Sequence, residues 1–273
     1  MRPRLIAAGA AAGLLAAGAL AVPAQAQDSA QLSVLHGVPG LTVDVYVNGE
    51  RTLDDFTPGS LAGPLSLPAG TYSVAITAAD ADDASAPAIG PVDLPLEAGR
   101  NYTAVAHLDA AGEATAALFT NDTTQTAAGE GRLTVRHVAA APAVDVLAGG
   151  SAVVSGLANP DEQVLNLPAG TVNATVVAAG TTEPAVLGPA DVPVTEGVNT
   201  IVYAWGSLED GNIALATQTI EGLHSSPSGV PAGEAGLLGG SQGTPAGLIA
   251  LAGLAVAGVA LLARRASTAT ARR

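Results

Sequence analysis

Hydrophobic and polar positions alternate along this chain in short runs, and turn residues punctuate the runs. In the stretch 42–47, Val43, Val45 and Val47 fall on one face, while Thr42, Asp44 and Tyr46 fall on the other. The same pattern predicts strands at 32–36, 42–47, 63–67, 71–77, 89–94, 101–108 and 114–120. Asn48-Gly49 is a hairpin signal, because both residues tolerate the positive φ that a type I′ turn requires. Leu67-Pro68-Ala69-Gly70 fits a type I turn, with proline second and glycine fourth. No helical period is long enough for a crossover helix, so the spacing predicts a sandwich rather than a parallel sheet.

The pattern is then written a second time. HGVPGLTVDVYVNG at 36–49 returns as HVAAAPAVDVLAGG at 137–150, and LPAGTYSV at 67–74 returns as LPAGTVNA at 167–174. His36 corresponds to His137 and Asp44 to Asp145, both 101 residues on. Pro68 corresponds to Pro168, and Asn101 to Asn199. The offset changes only between the expected strands, where loops absorb insertions and deletions. The repeat therefore predicts two modules, 31–121 and 132–222, joined by the connector NDTTQTAAGEG at 121–131.

The ends carry a different signal. Arg2 and Arg4 precede an apolar run and the small-residue site AQA at 24–26, which predicts a signal peptide over 1–26. An uncleaved anchor is the alternative. A Gly/Ser/Pro-rich stalk is expected at 223–244. The uncharged run 246–263 follows, long enough as a helix to span roughly 27 Å, about one bilayer core. The basic tail 264–273 places the C-terminus on the cytoplasmic side. The expected protein is exported and single-pass, with its modules outside the cell membrane.

Charge and composition narrow the functions. There is no cysteine, which removes thiol chemistry and disulfide support. There is no lysine either, and between the two ends four arginines oppose 24 carboxylates, leaving −20. Such a surface repels nucleic acid. It suits solubility, and it fits a chain that gathers divalent cations or tolerates high salt.

The strings VDVYVNG, LPAGTY and EAGRNYT, preceded by the His and Pro-containing loop, resemble the domain-of-unknown-function 4397 family. Those are exported bacterial and archaeal modules, often in tandem. The resemblance covers both copies and is looser in the second, where Tyr46 becomes Leu147. It implies an extracellular β-sandwich and no activity. The expected fold is thus all-β: two tandem immunoglobulin-like or transthyretin-like sandwiches, plus the signal peptide and the single membrane helix.

Three sets of residues are candidates for chemistry. His36 with Asp44, and His137 with Asp145, are placed for an imidazole–carboxylate bond tying the first two strands of each module. A catalytic use would need a nucleophile within reach, and no GxSxG elbow is present. Asp80, Asp82 and Asp83 put carboxylates on one loop, a calcium candidate that lacks the spaced twelve-residue calcium motif. The histidines lack zinc spacing, and no other cofactor is expected. Tyr203 and Trp205, equivalent to Val105 and His107, alternate with Ile201 as a packed face does; a sugar-stacking face is the alternative. The leading expectation is a non-catalytic cell-surface module that binds or spaces. Its partners are the membrane and an envelope polymer or surface protein. The alternatives are an envelope hydrolase using the His/Asp pairs and a sensor coupled through a partner helix.

Overall fold

The structure, a computed structural model, describes residues 29–225. The expected signal peptide, the membrane span and tail, and nearly all of the stalk lie outside the described residues. Among the described residues no helix is long and apolar enough to cross a membrane.

The first copy contains eight strands, β1 (Ser29–Gly37), β2 (Val43–Val47), β3 (Glu50–Phe56), β4 (Leu61–Pro68), β5 (Gly70–Ala78), β6 (Ile89–Leu96), β7 (Asn101–Leu108) and β8 (Ala114–Thr120). The second repeats them as β9 (Glu130–Ala140), β10 (Val144–Ala148), β11 (Ser151–Leu157), β12 (Glu162–Pro168), β13 (Gly170–Ala178), β14 (Ala185–Val194), β15 (Asn199–Ser207) and β16 (Ala214–Ile220). The sheets of the first copy run β4-β1-β7-β8 and β3-β2-β5-β6. Those of the second run β12-β9-β15-β16 and β11-β10-β13-β14, the same orders advanced by eight. Each copy is a two-sheet sandwich.

The turns behave as their residues require. Asn48 and Gly49 take φ of 51° and 84° at the β2–β3 hairpin, and Gly149 and Gly150 take 58° and 81° at its counterpart. The Leu67–Gly70 turn carries the chain from one sheet to the other. Two features depart from the expected plan. Strand β3 was absent from the predicted set of seven. It is a polar edge strand, ERTLDDF, with almost no buried position and hence no alternation to read. And β1 pairs with β7 in parallel, as β9 does with β15, so each sandwich holds one parallel pair among antiparallel ones.

The core of the first copy joins Val43, Val45 and Ile76 to Ala106 and Leu108 near one end. At the other end Leu32, Leu94, Tyr102 and Ala104 meet. The second copy has equivalent clusters around Leu133, Val192 and Val202, and around Val144, Val146 and Val154. Its side chains are smaller at matched positions. Tyr102 becomes Thr200, Tyr72 becomes Val172, Phe56 becomes Leu157 and Leu94 becomes Val192. Ala104→Val202 and Ala116→Leu215 restore only part of the lost volume. The second sandwich accordingly contains an apolar cavity of about 140 Å³, against about 30 Å³ in the first.

A further cluster lies between the copies. Leu35, Val105 and Phe119 of the first pack on Val138, Ile201 and Tyr203 of the second, all buried. Sheets β4-β1-β7-β8 and β12-β9-β15-β16 therefore bury both faces, which is why β7, β9 and β15 read as nearly continuous buried runs. The two copies form one body of four stacked sheets. The connector is pinned as well: Thr126 bridges to His224, and its N–H donates to the carbonyl of the buried Leu223. The starts of β1, β7, β9 and β15 and the ends of β8 and β16 share one end of this body. The acidic loops after β5, β7 and β15 sit at the other.

Candidate functional site

The histidine and aspartate of each copy do not bond one another. His36 Nε2 donates to the Leu41 carbonyl at 2.7 Å, and its Nδ1 faces the Val38 N–H at 3.5 Å. Its ring stacks on Phe56, with centroids 5.9 Å apart. His137 repeats the arrangement with Pro142 and Ala139. Each imidazole thus shapes the loop that follows its own strand. Asp44 accepts from the Asp55 N–H and from Arg51, both at 2.9 Å. Asp145 accepts from the N–H groups of Gly156 at 2.7 Å and Gly180 at 2.8 Å. Asp55 and Gly156 are equivalent and both have positive φ, so the carboxylate holds the irregular point where the edge strand pairs with its neighbour. The expected pairing fails because nearby backbone groups satisfy both partners first.

These bonds set the titration. Arg51, then the Asp55 N–H, hold the Asp44 carboxyl below the usual range. The two backbone N–H groups do the same for Asp145. Burial pushes His36, His107 and His137 below the ordinary histidine range.

Asp80, Asp82 and Asp83 do not converge. Asp83 caps its own turn, accepting from the Ser85 N–H at 2.9 Å. Among the described residues no group of three or more His, Cys, Asp or Glu is gathered to hold a metal ion. Tyr203 is fully buried, and it faces the other copy rather than its own core. Trp205 lies against Gly37 and Gly59 of the first copy. A Cβ on Gly59 would come within 2.9 Å of the indole Cζ2, and its φ of 79° already favours glycine. The alternation around Tyr203 reflects packing on the neighbouring module rather than on its own core.

The most unusual chemistry of the molecule sits on that shared surface. Arg136, in the middle of β9, is fully buried. Its Nε donates to Glu162 at 2.7 Å, one terminal nitrogen to the Tyr203 hydroxyl at 2.8 Å, and the other to the Asn121 side-chain carbonyl at 2.8 Å. The guanidinium lies 4.2 Å from the centroid of the Phe119 ring. Tyr203 in turn donates to Gln218 at 2.6 Å, and Thr103 of the first copy donates to the same Gln218 oxygen at 3.0 Å. Asn121 donates to Asn101 and Thr103. The charge is neutralised and each of the three guanidinium nitrogens has a partner, as a buried arginine requires. Arg132 ties down the connector in the same manner, reaching Asp122, Thr124 and Asn166. Sequence reading passed over both arginines. The available signal was an arginine at every second outward position of an otherwise apolar strand, GRLTVRHV.

The polar groups around Arg136 are engaged chiefly with one another, and the chemistry of the arrangement is that of a joint. The fold defines a tandem β-sandwich protein. A family model described as a domain of unknown function (DUF4397) matches residues 30–147, so the chain carries a domain of that family. The matched stretch takes in the first sandwich from the second residue of β1, the connector, β9 and most of β10. A search of curated proteins finds no match.

Proposed function

We propose that this is a membrane-tethered, exported protein whose two modules act as one rigid display or spacing unit, without chemistry of its own. The observation that carries the reading is the joint built on Arg136, which turns two repeats into a single body. The placement of the chain's described ends supports it further. Ser29 and Ser225 lie at one end of the body, so a tether there presents the acidic loops at the opposite end. The commitment of both loop histidines to backbone groups favours this reading over a hydrolase. The partner class is an envelope polymer or a surface protein, approached through the far loops.

The test uses the full chain expressed in cells. Protease added to intact cells is expected to release a stable fragment containing both modules, and N-terminal sequencing of that fragment is expected to start at or near Gln27. Protection of both modules in intact cells, with digestion only after lysis, overturns the display reading. Turnover of an envelope substrate by the purified chain, lost in His36→Ala or His137→Ala variants that still fold, overturns the non-catalytic part.

A further inference from the structure

We propose that the interior of the second sandwich is a binding site for a short, uncharged alkyl chain of about six carbons. The inference does not rest on where the protein resides. The cavity between β12-β9-β15-β16 and β11-β10-β13-β14 has a volume of about 140 Å³. An apolar cavity of about 150 Å³ holds a benzene-sized guest and stays dry when empty, which sets the size of the occupant. Its walls include Leu133, Val146, Leu165, Val176, Leu187 and Val202, and the remaining lining residues are also aliphatic or glycine. No donor or acceptor side chain points in, so a sugar, nucleotide or amino acid would lose its hydrogen bonds on entry.

The cavity is also open. Val153 and Leu215 line it and are 43% and 38% exposed. They belong to β11 and β16, edge strands on opposite sides of the sandwich. A chain can therefore enter at a sheet edge and leave its polar end in water.

The nature of that end follows from charge. All four arginines among the described residues are already paired, Arg51 with Asp44 and Asp54, Arg100 with Glu97, Arg132 with Asp122 and Arg136 with Glu162. None of them lines the cavity, and the chain has no lysine. With no free cation to receive it, an anionic head group meets only repulsion from the surplus of carboxylates. A neutral alcohol or ester head fits where an anionic one does not.

The test is a titration of the purified full chain with 1-hexanol, followed by methyl NMR shifts. Saturable shifts confined to lining methyls such as those of Val146, Val176 and Leu187 are expected, with weaker binding of hexanoate. Val172→Tyr, which supplies the residue found in the first copy, is expected to lower affinity roughly tenfold or more. Val176→Ile with Val192→Leu, both also first-copy residues, gives a milder filling that tests the same point if the tyrosine variant does not fold. Shifts that rise without saturating, or that spread equally over first-module methyls, overturn the site. Hexanoate binding as tightly as hexanol overturns the head-group assignment.

Discussion

The two modules share a strand order and a register, yet they use bulk and polarity in opposite places. The first keeps its large rings inside, with Phe56 stacked on His36 and Tyr102 buried in the core, and offers Leu35, Val105 and Phe119 to its neighbour. The second has aliphatic residues inside and offers Arg136, Tyr203 and Gln218 at the same three positions. Turn residues and alternation are enough to repeat the topology, since they are what the copies hold in common. What fills the core and what covers the outer face are separate choices. The joint works because those choices differ: an aromatic face from one copy receives a cation from the other, and two identical faces would place either two arginines or two phenylalanines together.

The largest effect is expected where that asymmetry is removed. Arg136→Ala strands Glu162, Asn121 and the Tyr203 hydroxyl, and the full chain should lose about 3–5 kcal/mol in urea unfolding. If two separate transitions replace one, the joint is what couples the modules. A loss under about 1 kcal/mol would mean that the joint is incidental.

Next comes exchange of core volume. Tyr102→Thr gives the first module the residue of the second and should cost about 2–4 kcal/mol by opening a cavity. The reverse change, Thr200→Tyr, should cost less, because space is already present beside Val172 and Val192. Equal losses from both would show that the second core is not underfilled.

Acid should act on both modules with one sign. His36, His107 and His137 are buried with pKa values below 6.5, so the unfolded chain binds more protons than the folded one. Stability is full above about pH 6.5 and falls as pH descends from there toward the lowered folded values. The sharpest contrast lies at His107, which the second module replaces with Trp205. A His107→Gln variant should show a shallower fall in denaturation midpoint from about pH 7.5 to about pH 5. A midpoint that rises on acidification would contradict the direction.

The smallest effect is expected at Arg51. It pairs with Asp44 in the first module, while Asp145 in the second is held by backbone N–H groups alone. Arg51→Ala should lower the denaturation midpoint only modestly, because the Asp55 N–H still holds Asp44 Oδ1 and the half-exposed arginine leaves room for water at Oδ2. A large loss would mean that the two aspartates hold their edge strands in different ways.

Much of the fold was legible in the chain because it is written locally. Asn48-Gly49 specified its own hairpin, and the repeated LPAG marked a turn between strands in both copies. Strand β3 was not legible, since an exposed edge strand has no buried face to impose alternation. The joint was hidden for a related reason. Alternation identifies two faces of a strand but not what covers the second one, so Ile201, Tyr203 and Trp205 looked like an inner face. The continuous apolar run IVYAW pointed to burial on both sides. His36 and Asp44 do not pair: their nearness along the strands is visible in the sequence, whereas the competing backbone acceptor of one and donor of the other are not.

The bridge between Thr126 and His224 has a mechanical meaning. Tension applied to the chain beyond Ser225 does not begin by peeling β16 from its sheet. It first meets a strap that joins the last described residues to the connector, with Leu223 buried beneath it and Arg132 gripping the connector a few residues away. The load enters at the seam and is divided between the two sandwiches.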